Sequence, residues 1–246
     1  MKDETLCGVS PMFGSNCRSE VFLLKPTGLT AIIVVCGAVL LLGRIAAQTK
    51  PEADEWTASF DGNALDASKW ERFSFEGGSG GTFKLEGGEL RMRGVSGTRA
   101  GVRSKRKFSG DHFIVEATVA KVGAPLPEPG ESGLPPGFAN LTVLFDDSGR
   151  YRVEWILTSE GMFEAWAIVN GQGTRLDNHK LATKTPNPTI GIVRRGDQFM
   201  FMLNGQMGMQ STVKNLPQDF WVMLYGFGSS ENNWKSARVV TLKQAH

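Results

Sequence analysis

Residues Ala139–Asn170, ANLTVLFDDSGRYRVEWILTSEGMFEAWAIVN, leave little freedom in local structure. Leu141, Val143 and Phe145 alternate with Asn140, Thr142 and Leu144. Tyr151, Val153, Trp155 and Leu157 alternate with Arg152, Glu154 and Ile156. Period-two alternation of β-branched and aromatic residues puts one set on each face of a pleated strand. A third apolar run follows, and the junctions are turn-formers: Asp146-Asp147-Ser148-Gly149 and Ser159-Glu160-Gly161. The stretch predicts a three-stranded antiparallel meander at the centre of a sheet.

The same pattern recurs on either side. Thr82–Leu85 and Glu89–Arg93 flank Glu86-Gly87-Gly88, a hairpin signal. Val102–Phe108 and Phe113–Val122 read as strands, as do Thr174–Leu181, Thr189–Arg194, Gln198–Leu203, Phe220–Tyr225 and Arg238–Leu242. Asn204-Gly205 is the strongest short-range hairpin signal. Glycines 77, 78, 80 and 81 predict a flexible loop. Gly123–Phe138 carries five prolines, cannot join a ladder, and predicts a long surface loop. With no amphipathic helix and about a dozen short strands, the fold class is all-β, an antiparallel two-sheet β-sandwich or jelly roll.

The N-terminus is different in kind. Pro26–Gly43, PTGLTAIIVVCGAVLLLG, is uncharged and apolar, with Lys25 before it and Arg44-Ile-Ala-Ala-Gln after it. A basic flank, a short apolar run and small residues describe a secretory signal cleaved near Ala47; an uncleaved membrane anchor is the alternative. Translation can begin at Met1 or at Met12, which leaves a tidier signal. The expected division is 1–47 signal or anchor, 48–55 linker, and 56–246 one β-sandwich domain, secreted or extracytoplasmic. Cys7, Cys17 and Cys36 all precede residue 48, so the domain has no disulfide framework, thiolate metal site or cysteine nucleophile. It depends on a core, and about 199 residues can bury around 70% of their unfolded surface. Of 27 Lys and Arg and 25 Asp and Glu, four and three lie in 1–47, leaving 23 against 22. That balance offers nothing to nucleic acid or to a charged membrane surface.

Phe60-Asp61-Gly62, Leu65-Asp66 and Trp70 resemble the opening of concanavalin A-like lectin/glucanase domains. The likeness is closest to the family of 3-keto-disaccharide hydrolases. Gly87-Gly88-Glu89-Leu90 and Phe108-Ser109-Gly110-Asp111-His112-Phe113 resemble two of that family's strands. Arg194-Arg195-Gly196-Asp197 with Leu203-Asn204-Gly205 resembles a hairpin common across these jelly rolls. The resemblance spans roughly residues 56–244. It implies a concanavalin A-like jelly roll that binds carbohydrate or another extracellular ligand in a groove, or hydrolyses a glycan. A structural cell-surface role is the third reading. The Glu-x-Asp-x-x-Glu strand of glucanases with this fold is absent.

The candidate catalytic carboxylates on strands are Glu116, Glu154 and Glu164. Glycosidases need two, about 5–5.5 Å apart for retention or 6.5–9.5 Å for inversion. An odd-numbered loop after Leu157 would set Glu154 opposite Trp166 and diagonal to Glu164. A two-residue Glu160-Gly161 loop would send Trp166 into the core beside Trp155. Trp166, Trp221 and Tyr225 are the candidate ligand-stacking residues, with Arg152 as a further ligand contact; second-layer packing is the alternative for the aromatics. Arg103-Ser104-Lys105-Arg106-Lys107 predicts a charged strand edge. Asp146-Asp147 is read as turn chemistry, with a structural Ca²⁺ unsupported. Asn140-Leu141-Thr142 matches a glycosylation sequon. No cofactor is expected, and His112, His179 and His246 lack metal-ligand spacing.

Overall fold

The computed structural model describes residues 53–75, 81–94, 99–123, 137–177, 185–227 and 230–242. The expectations for the N-terminal segment, most of the glycine-rich stretch and most of the proline-rich loop lie outside these residues.

Among the described residues, two antiparallel sheets hold every strand. The first contains β1 (Ala53–Ser59), β3 (Thr82–Glu86), β4 (Glu89–Arg93), β6 (His112–Val122), β11 (Thr189–Arg195), β12 (Gln198–Leu203), β13 (Gln206–Thr212) and β15 (Glu231–Leu242). Its order is β13-β12-β11-β6-β15-β4-β3, with β1 also paired to β15. The second contains β2 (Trp70–Ser74), β5 (Arg99–Ser104), β7 (Phe138–Leu144), β8 (Arg152–Thr158), β9 (Phe163–Val169), β10 (Gln172–Arg175) and β14 (Trp221–Phe227). Its order is β10-β9-β8-β7-β14-β5-β2. Sequence neighbours such as β13 and β14 thus fall in different sheets, which wraps the chain around one core.

The turns follow their residues. Gly87-Gly88 joins β3 to β4 with φ of 64° and 75°, and Asn204-Gly205 joins β12 to β13 with φ of 50° and 76°. Positive φ at both central positions matches the right-handed twist of the flanking strands. β8 and β9 are joined differently. Leu157 pairs with Phe163, and Thr158 N donates to Met162 O, so the loop is odd-numbered and ends on Gly161 at φ 76°.

That loop decides the faces. Val153, Trp155, Phe163, Ala165 and Ala167 point into the sandwich, where they meet Leu141, Val143, Val222, Leu224, Phe199 and Phe201. Trp155 is fully buried, stacks on Phe163 at 4.9 Å and packs on Phe201 at 5.3 Å. Its indole nitrogen donates to Met202 O at 3.0 Å, so the core gains its area without orphaning the N–H. A second aromatic cluster, Trp56, Phe60, Trp70, Phe108, Phe113 and Phe220, closes the other end.

Several strand expectations are corrected. β5 is no edge: it lies between β14 and β2. Its basic run is tolerated because carboxylates meet it. Arg103 binds Glu71 at 2.6 Å and also Asp147, Arg106 binds Asp54, and Lys107 binds Asp219 at 3.1 Å. β10 is Gln172–Arg175, which shares only 174–175 with the strand expected over 174–181, and 178–181 lie outside the described residues. The Asn140 sequon is inside β7 with its side chain buried, out of reach of a glycosylating enzyme.

Candidate functional site

On the outward face of the second sheet, residues that alternate away from the core are themselves buried. Asn140, Thr142 and Leu144 of β7, Glu154 and Ile156 of β8, and Met223 and Tyr225 of β14 are all shielded. Polar residues at these positions of a solvated sheet face would be exposed, so this face is sheltered and not a flat solvated surface. A cavity of about 480 Å³ opens on it. Its floor comes from β7, β8 and β14, one wall from Glu164, Trp166 and Ile168 of β9, and its rim from Ser148–Arg150, Gly171 and Gly173.

Glu154 is the centre of the floor, 6% exposed. Arg152 Nε and the Tyr225 hydroxyl both donate to its Oε1, each at 2.6 Å. Both of these bonds go to one oxygen. Burial works against the Arg152 charge, but Glu154 and Tyr225 outweigh it and hold the guanidinium above its ordinary value. Burial, then the Glu154 charge, push the Tyr225 phenol well above its usual value, so it stays protonated and donating. Arg152 also donates to Gly149 O and lies over the Phe75 ring at 4.8 Å. Phe75 meets Tyr225 edge-on at 5.8 Å. A Cβ on Gly149 would come within 2.4 Å of Phe75, and φ there is 72°, so only glycine lets this turn close over the ring.

Trp166 stands directly across from Glu154 in the β8–β9 register, and Glu164 is one step diagonal, opposite Ile156. Trp166 Nε1 donates to Glu164 Oε2 at 3.0 Å, and Arg175 approaches Glu164 at 3.8 Å while binding Asp177 at 2.9 Å. The indole is thereby oriented at its edge and keeps ring area toward the cavity, which it lines.

Arg152, Glu154, Glu164, Trp166 and Tyr225 thus line one cavity, although Tyr225 serves differently from the expectation. It is 1% exposed and presents its hydroxyl to Glu154, not its face to a ligand. Two other candidates are elsewhere. Glu116 lies on β6 of the opposite sheet, faces away from the core, and binds Arg238 at 3.1 Å. Trp221 shares the outward face of β14 but sits at the other end of that strand, under Arg103 at 4.9 Å and Lys107 at 4.8 Å. Its role is second-layer packing. Asp146 accepts from Tyr151 N at 3.0 Å and from Ser148, as a turn requires. Among the described residues, no group of His, Cys, Asp and Glu is arranged to hold a metal ion.

Sequence reasoning missed Asn140, Arg150, Ile156, Ile168 and Phe75. Asn140 alone carried a signal, an amide in a strand otherwise rich in apolar residues. Its Oδ1 is buried without a partner.

No protein-family model matches the chain, and no curated protein sequence does. Solved structures do. An endo-β-1,3-glucanase from Pyrococcus furiosus superposes with TM-score 0.57 at 12% identity, over 77% of this chain and 94% of that one. A β-glucanase from Bacillus licheniformis gives 0.55 at 12%, over 80% and 100%. A carbohydrate-binding module from Bacillus subtilis gives 0.51 at 11%, over 71% and 96%. The fold is the concanavalin A-like jelly roll. Identities this low carry the fold alone, so the jelly roll's chemistry has to be argued from its own cavity. The likeness to 3-keto-disaccharide hydrolases stands on the motifs quoted above, without a matching family model.

Proposed function

We propose that this domain binds a saccharide in the cavity over β7, β8, β9 and β14, and that it acts as a binding module and not as a hydrolase. The observation that carries the reading is the pairing of Trp166 with Glu154 across one cavity. An aromatic ring offers area to the C–H face of a sugar, and a held carboxylate accepts from its hydroxyls. A volume of about 480 Å³ suits a small ligand of this size class. Fold likeness to glucanases and to a carbohydrate-binding module supports the same class of ligand.

Catalysis has one observation in its favour. Glu154 and Glu164 are diagonal on neighbouring strands, about 7–8 Å apart at the backbone by strand geometry, and both line the cavity. Their surroundings argue the other way. Hydrolysis needs both carboxyl groups free to exchange a proton with the substrate or a water. Here a guanidinium lies against each: Arg152 at 2.6 Å from Glu154 and Arg175 at 3.8 Å from Glu164.

We also read the protein as exported. The apolar segment Pro26–Gly43 and the absence of cysteine after residue 47 support that reading.

A glycan panel screened by calorimetry, with parallel assays for sugar release, tests the proposal. Trp166→Ala is expected to weaken binding about tenfold or more. Its unfolding free energy should stay within about 0.5 kcal/mol, because a cavity wall contributes little to the core. Glu154→Gln should change affinity modestly, with no turnover to lose. Sugar release by the wild type, abolished in Glu154→Gln while binding survives, would establish the hydrolase instead.

A further inference from the structure

The cavity is electrically polarised along β9. Glu164 faces Ile156, Trp166 faces Glu154, and Ile168 faces Arg152. Glu164 and Ile168 are therefore about 13 Å apart along the strand, with Trp166 midway. Glu164 marks one end. Arg150 marks the other: its carbonyl accepts from Gly171 N at 2.9 Å, just past the end of β9.

The charges at the two ends are balanced differently. Arg152 is committed to Glu154, Arg175 is shared between Asp177 and Glu164, and Arg99, which also lines the cavity toward the Glu164 end, has an interaction of its own. The Arg150 guanidinium binds the side-chain oxygen of Asn170, a neutral amide, and among the described residues no carboxylate pairs with it. It lines the cavity and is exposed. Pairing with a neutral oxygen orients the planar fork without cancelling its charge, which suits it to a carboxylate or sulfate from outside. The floor does not oppose this, because Arg152 neutralises the Glu154 carboxylate.

We infer that the saccharide is acidic, with its carboxylate or sulfate at the Arg150 end, a ring against Trp166, and neutral hydroxyls toward Glu164. The inference rests on the saccharide reading above and adds the ligand's charge and orientation. A neutral glycan would leave the Arg150 charge unused. An anion placed the other way would meet Glu164.

The full-length chain should be tested on an array of uronate-containing, sulfated and neutral oligosaccharides. Each acidic glycan should be paired with its methyl-esterified or desulfated counterpart, and hits followed by calorimetry. The acidic member of a pair is expected to bind about tenfold tighter than its neutral counterpart, the usual scale for one charge-assisted contact. The advantage should shrink as salt is raised. The uronate and sulfate arms identify which anion is used. Arg150→Gln keeps a hydrogen-bonding side chain on an exposed turn and should bring the acidic member's affinity down to that of its neutral counterpart. Glu164→Gln should keep the preference. Equal binding of acidic and neutral members, or a preference that survives Arg150→Gln, overturns the inference while the saccharide reading stands. If no glycan of any class binds, the saccharide reading falls and takes this inference with it.

Discussion

Trp155→Ala is expected to destabilise the domain by about 3–5 kcal/mol, enough to unfold much of it at ambient temperature. The indole is wholly buried, stacked on Phe163 and against Phe201, and it spans from the second sheet to the Met202 carbonyl of the first. Truncation removes the largest inward-facing side chain of the central meander, opens a cavity between the sheets, and orphans that carbonyl from its indole donor. Close-packed neighbours on both sheets limit how far the gap can collapse. Trp155→Phe should cost less, because it keeps the stacking and most of the volume. Urea unfolding followed by circular dichroism measures both. A midpoint for Trp155→Ala within error of wild type would show that the sandwich does not depend on this contact.

Arg152→Met is expected to cost about 3 kcal/mol, although the position faces the cavity and not the core. Methionine keeps much of the apolar stem over Phe75 but leaves Glu154, 6% exposed, without its counter-ion. An unpaired buried carboxylate is far more costly than a missing surface charge. Tyr225 still donates one hydrogen bond, which softens the loss without removing it. The double variant Arg152→Met/Glu154→Gln should recover much of the stability, since the amide needs no counter-ion. That non-additivity is the signature of a coupled pair. Equal cost of Arg152→Met in both backgrounds would mean that the bond to Gly149 and the contact with Phe75 carry the effect instead. Either way, loss of ligand binding in the single variant has to be judged on folded protein.

These two expectations locate the two jobs of β8. Its inward residues hold the sheets together, and its outward residues build a polar floor that is costly to bury and is stabilised by mutual pairing. A cavity floor of that kind is a rigid acceptor for a ligand's hydroxyls. The same pairing is what argues against acid catalysis at Glu154.

Much of this was legible in the chain. Alternation in residues 139–170 determines strands and their two faces, because a pleated strand has period two and nothing else does. Gly87-Gly88 and Asn204-Gly205 determine tight hairpins, because only such residues accept positive φ at both positions. The absence of cysteine after residue 47 determines that the domain stands on its core. Spacing of these signals determines an antiparallel sandwich. The sequence also narrowed the site, but only to alternatives: the face of Trp166 hung on whether the loop after Leu157 was odd. Tertiary structure decided that through the Thr158–Met162 closure, and with it the meeting of Trp166 and Glu154. It also decided everything that depends on contacts distant in sequence. Tyr225 reaches Glu154 across 71 residues, Phe75 covers Arg152, and β5 lies between β14 and β2, with Asp54, Glu71, Asp147 and Asp219 from elsewhere in the chain meeting the basic run that begins in it. Glu116 looked equivalent to Glu154 because both alternate with apolar neighbours on a strand. Alternation tells which face a residue takes, but not which sheet its strand joins, and that assignment comes from long-range pairing alone.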